Sequence, residues 1–175
     1  MYYVSVQRIG RMAALVCLVA GLGTTRLSAQ STGNATMTIN LSDVLQLTIN
    51  TSAVSLNFAS VANYNNGVSS VVNNQITIAS NTVYDLRIRT AGPTLVNGPN
   101  TIPVSNIAVQ TIGLTEGTHR VISALSTTDQ SLVTGLPATL SQSVNMQYST
   151  AAGNTAFLKP AGAYVTTLTF TVVAN

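Results

Sequence analysis

Tryptophan is absent from this chain of 175 residues, cysteine and histidine occur once each, and charged side chains make up 6%. Each shortage excludes something. One His, one Cys and four acids leave few groups for acid–base or metal chemistry, and no zinc-ligand spacing or calcium-loop pattern is present, so neither a cofactor nor a metal is expected, with calcium on oxygen ligands around Asp129 as the alternative left open. A nucleic-acid partner is excluded by the distribution of charge. Arg8, Arg11 and Arg26 crowd the start, and beyond them Arg87, Arg89, Arg120 and Lys159 stand against Asp43, Asp85, Glu116 and Asp129. The formal charge of +3 therefore belongs to the first residues, and no basic patch remains to neutralise phosphates.

Residues 1–29 read as a secretory leader. Arg8 and Arg11 precede an apolar stretch, Met12 to Gly23, that is short of the roughly 20 residues a spanning helix needs. Leu27-Ser28-Ala29 places a small residue at the expected cleavage point. An uncleaved N-terminal anchor is the other reading. Cys17 lies inside the apolar stretch, so the cleaved chain has no cysteine and must be held by its core. An exported location follows, secreted or on the cell surface, with no transmembrane span in the mature chain.

What is present is β-branched and polar: Thr, Ser, Asn, Val, Ala and Leu. Apolar residues alternate in short runs, as in strands with one buried face. The runs include Met37-Ile39-Leu41, Leu45-Leu47-Ile49, Val54-Leu56-Phe58, Ile76-Ile78, Tyr84-Leu86-Ile88, Ile107-Val109, Val144-Met146-Tyr148 and Tyr164 to Val172. Asn65-Asn66-Gly67, Ala91-Gly92-Pro93, Asn97-Gly98-Pro99-Asn100, Gly135-Leu136-Pro137 and Lys159-Pro160-Ala161-Gly162 mark turns between them. No long stretch after the leader carries a helical stripe. The expectation is an all-β protein, an antiparallel immunoglobulin-like β-sandwich of about 7–9 strands. A closed barrel is the alternative. The expected organisation is a leader over 1–29, an N-terminal extension or strand over 30–43, and the sandwich over 44–175.

Candidate chemistry is sparse. Asp85, Arg87 and Arg89 share one face of a strand, which reads as a solvated outer face before it reads as an anion site. His119 and Arg120 follow Glu116-Gly117 without a Gly-x-Ser-x-Gly elbow or an orienting acid, so a polar turn is expected and not an enzyme. Tyr64, within Asn63 to Gly67, is the best candidate for an exposed ligand contact.

Two features carry more. A mature chain with balanced and scarce charges does little to resist association, and Thr-rich strands leave sheet edges without gatekeepers. The chain ends are the second feature. A polar lead, Gln30 to Asn34, precedes the alternating segment Ala35 to Leu41, and Gly162 leads into an alternating strand that runs through Leu168, Phe170 and Val172 to Asn175. This ending resembles the fimbrial subunits of bacterial pili, and it also looks like the WxL-type cell-wall-binding domains. The fimbrial resemblance implies an incomplete immunoglobulin-like sandwich whose groove is filled by the N-terminal extension of another subunit. On that footing Met37, Ile39, Leu41, Gly162, Leu168, Phe170 and Val172 would serve assembly. The expected partner is a second copy, in a homo-oligomer or polymer. The alternative is a monomeric module binding a glycan or cell-wall polymer through Tyr64 and its loop.

Overall fold

The structure, a computed structural model, describes residues 32–175, so the expected leader lies outside the described residues. Leu41–Asn175 form one compact unit. Residues 32–40, the described part of the other unit, have no regular secondary structure and are exposed throughout. The alternation of Met37, Ile39 and Leu41 is therefore not realised as a strand, and these side chains are 84%, 69% and 86% exposed.

Ten strands follow: β1 (Leu45–Ile49), β2 (Ser69–Ser80), β3 (Tyr84–Thr90), β4 (Thr94–Asn97), β5 (Asn100–Pro103), β6 (Ile107–Ile112), β7 (Thr118–His119), β8 (Gln130–Leu136), β9 (Thr139–Thr150) and β10 (Leu168–Ala174). Eight of them make two antiparallel sheets, ordered β1-β2-β9-β6 and β10-β3-β8-β7, and β4-β5 is a separate hairpin. Apolar residues from both sheets close on one core. Ile76, Ile78, Val109, Val144, Met146 and Tyr148 come from the first sheet; Tyr84, Leu86, Ile88, Leu132, Val133 and Leu136 come from the second. The chain is thus the expected β-sandwich, with its hydrophobic stabilisation concentrated where the alternating residues of facing strands meet.

Turn chemistry fixes the registers. In the β4–β5 hairpin Asn97 pairs with Asn100, so Gly98 and Pro99 form a two-residue loop. Gly98 takes φ 57° and proline fixes the next φ near −65°, the sequence a type II′ turn requires. In β2 the pairing with β9 slips between Val72 and Ile76, and Asn74 sits in the slip with φ 48°. Asparagine tolerates this left-handed backbone. Asn50 clamps it, donating its amide to the carbonyl and the side-chain oxygen of Asn74 at 3.1 and 3.0 Å.

Segment 54–58 departs from expectation. Its side chains alternate between half-buried and exposed, with Val54 and Leu56 packed on the core, yet no strand pairs with it. Beyond it, Val61–Asn66 forms a short helix, α1, where a loop is expected. Ser60 caps it: its hydroxyl accepts from the amide of Asn63, and the Asn63 side chain accepts from the amide of Ser60.

An immunoglobulin sandwich sets an A-B-E-D sheet against a G-F-C sheet. The order β1-β2-β9-β6 follows the first, and β10-β3 takes the place of F-C. Among the described residues no strand occupies the G position beside β10.

Candidate functional site

That vacant edge opens into a groove. One wall is the unpaired segment 54–59, the other is 159–168, and Ile107, Leu125 and Tyr148 form part of the floor. Its volume is about 720 Å³, against roughly 30 Å³ for one water in the liquid, so it has room for several side chains.

Main-chain geometry turns one edge of the chain leading into β10 toward this space, which Leu168 lines, and the same edge continues beyond it along the rest of β10. Val165 exchanges two hydrogen bonds with Val96 of β4, at 2.9 and 3.1 Å, and the carbonyl of Thr167 accepts from the amide of Ala91 at 2.9 Å. The amide of Asn175 donates to Val83 at 2.9 Å, on the same side. Alternation along a strand then turns the N–H and C=O of Tyr164, Thr166, Leu168, Phe170 and Val172 to the opposite, unpaired side. The side chains of Leu168, Phe170 and Val172 pack against the core but stay half-exposed. Across from them, β1 covers the core only partly, with Leu45 43% and Ile49 42% exposed. The sandwich is therefore open along one flank, with unpaired backbone groups and half-covered apolar side chains side by side.

An aromatic cluster stands at one end of the groove. Phe58 stacks on Phe157 with ring centroids 4.7 Å apart, and Tyr64 of α1 tilts against Phe58 at 5.1 Å. Tyr64 is thus half-buried among rings, where an exposed loop contact was expected. At the rim, Tyr164 donates its hydroxyl to the carbonyl of Pro160 at 2.9 Å. In the floor, Tyr148 donates to the side-chain oxygen of Gln75 at 2.9 Å, and burial pushes its pKa well above the ordinary phenol value. Lys159 is the one charged residue lining the groove among the described residues.

Gly162 lies on the rim with φ 150°, where a Cβ would collide with the side-chain amide of Asn97. That glycine therefore lets the β4–β5 hairpin lie against the rim. The aromatic rim and the unpaired run Val54-Leu56-Phe58 went unrecognised as parts of a site. Their alternation signals a strand, and nothing in it signals a missing neighbour.

The remaining candidates lie elsewhere. Asp85 is 8% exposed, not solvated as expected from its strand face. Its Oδ1 accepts from the amide of Gly135 at 3.0 Å and from the side chain of Asn175 at 2.7 Å, and Arg87 lies 3.6 Å from its Oδ2. Burial alone would raise its pKa; the donors from Asn175, Gly135 and Arg87 outweigh that, and the net shift is downward. Arg89 pairs with Asp129 at 3.5 Å on the surface. His119 is exposed, with Nδ1 3.0 Å from the hydroxyl of Thr111. Among the described residues no three of His, Cys, Asp and Glu gather to hold a metal, and no helix is long and apolar enough to cross a membrane. The chemistry the groove can perform is recognition: main-chain hydrogen bonds along one wall and apolar contacts along its floor. Neither a family model nor a curated protein matches the chain.

Proposed function

We propose that the protein is an exported structural subunit of a surface fibre or layer, assembled by strand addition. The occupant of the groove is the segment 35–41 of a second copy. Its main chain pairs with the free edge of Tyr164, Thr166 and the even-numbered residues of β10, and Met37, Ile39 and Leu41 enter the space between the sheets. Backbone hydrogen bonds supply affinity and the alternate side chains supply register. The observation that carries this reading is the open flank itself. An unpaired edge beside half-covered core residues is a template for another chain unless it is blunted, and no charged side chain of β1 or β10 guards it. The unpaired, apolar and exposed 37–41 segment is complementary in pattern. Export rests on the leader and adhesion on surface display.

A glycan site at the same groove has less support, because Tyr64, Phe58 and Phe157 lie against one another and offer no free platform.

Electron microscopy of the exported protein tests the proposal. The native chain forms fibres or ordered layers, and Ile39→Asp abolishes them while leaving circular dichroism and thermal unfolding of the sandwich unchanged. Normal assembly by Ile39→Asp rules strand addition out.

A further inference from the structure

Resting on the strand-addition reading, we infer that the junction between copies is directional and is set by an ion pair between Asp43 of one copy and Lys159 of the next. The argument begins with the two ends of the sandwich. Strand registers place Leu45, Ser80, Tyr84, Thr139 and Ala174 at one end. Thr90, Leu168, Ile107 and Thr150 lie at the other.

Asp43 is fixed at the first end. Asn81 donates its side-chain amide to the carbonyl of Ser42 at 2.8 Å, and its side-chain oxygen accepts from the amide of Val44 at 2.8 Å. Lys159 is fixed at the second end, in the turn after Thr155–Phe157. There its amide donates to Phe157 at 2.9 Å, and Asn154 donates to Asn106 beside β6 at 2.9 Å. Six steps of β10 separate the two ends, at least about 20 Å at strand rise. The two charges cannot meet within one chain.

Charge inventory narrows the choice further. Among the described residues Asp85 pairs with Arg87 and Arg89 with Asp129. Asp43, Glu116, Arg120 and Lys159 have no ion-pair partner there. Glu116 and Arg120 flank β7, at the edge of its sheet opposite β10. Asp43 and Lys159 alone mark the exit of the N-terminal segment and the mouth of the groove.

A segment leaving one copy at its Asp43 end and entering the next at its Lys159 end runs antiparallel to β10. Leu41 then lies nearest the mouth, and Asp43 arrives beside Lys159. The same segment folded into its own groove would run parallel to β10 and leave Asp43 at the wrong end. The ion pair therefore distinguishes a second copy from the chain itself. Passed on from copy to copy, the junction grows head to tail; a reciprocal exchange between two copies would satisfy the same two pairs in a closed two-fold dimer, which forms no fibre.

Light scattering of the full-length exported protein tests this with Asp43→Lys and Lys159→Glu. Each variant alone places like charges at every junction and assembles about five-fold more slowly at low ionic strength, a difference that shrinks as salt screens it. In an equimolar mixture every junction between unlike variants carries opposite charges, so a fibre in which the two alternate has none repelling, and assembly recovers most of the native rate. Native rates for both single variants overturn the ion pair; if Ile39→Asp still blocks assembly in the same assay, strand addition stands without it. Slow single variants that the mixture does not rescue also overturn the pair. Native assembly by Ile39→Asp overturns the strand addition on which the pair depends.

Discussion

Asp85 shows how one side chain can couple the end of the chain to its middle. Its carboxylate gathers the amide of Gly135 in β8, the side chain of Asn175 after β10 and the guanidinium of Arg87. Because these donors hold its pKa below the ordinary value, the native state favours the ionised form more than the unfolded chain does. The resulting stabilisation is complete above the ordinary carboxylate range and disappears as pH falls through the lowered value. Asp85→Asn should cost about 1–2 kcal/mol at neutral pH, since one buried acceptor becomes a donor facing donors. In strong acid the variant and the native protein should melt together. Thermal unfolding across pH checks both limbs; a constant difference at all pH values would mean that the carboxylate's charge contributes nothing.

At the scale of elements, the sequence was readable where a strand over the core kept strict alternation, and not in β8, where the adjacent Leu132 and Val133 are both buried and Gly135-Leu136, expected in a turn, belong to the strand. Ile76-Ile78, Tyr84-Leu86-Ile88 and Val144-Met146-Tyr148 alternate in the chain, and all are buried in the sandwich. Alternation reports the side chain and is silent about the main chain. That is why Val54-Leu56-Phe58 looks like a strand and is not one: its side chains face the core while its amides find no neighbour. The same silence covers Met37-Ile39-Leu41. The short strands β4, β5 and β7 were not legible, because two to four residues cannot display a period. Helix α1 was hidden for the same reason; only its Ser60–Asn63 cap marks it. Gly162 was legible as a special position, but its contact with Asn97 was not, since it joins residues far apart in the chain. Gly162→Val should destabilise the domain by about 1–3 kcal/mol, from overpacking against Asn97 and from a disfavoured backbone angle. Pairing it with Asn97→Gly should recover part of the loss in a denaturant melt. Equal melts for the single and double variants would show that the contact is not the cause.

For the whole molecule, strand addition at the open flank, as proposed, would make an isolated copy and an assembled one differ most along a single edge. Hydrogen exchange should find the amides of Tyr164, Thr166, Leu168, Phe170 and Val172 poorly protected in isolated copies. The interleaved odd-numbered amides, bonded toward β3 and β4, should be protected in both states. On assembly the even-numbered set should slow by at least about ten-fold, the change expected when about 1.4 kcal/mol of opening free energy is added. Unchanged exchange at these positions in fibres would place the contact between copies elsewhere. Scarce, balanced charge was the basis in composition for expecting assembly; which edge lies bare is visible only in the registers.

The path of β10 from one end of the sandwich to the other also bears on mechanical load. In a head-to-tail fibre the inserted segment leaves the groove at the Lys159 end, while β10 is rooted to the next subunit along its whole length. Tension then pulls the two strands in opposite directions along their axes. Every hydrogen bond between them is loaded at once, as in a lap joint, instead of one after another as in a zip. Rupture under force is set by a rate and not by an equilibrium, so such a link would outlast its thermodynamic strength. A surface fibre exposed to flow needs that property.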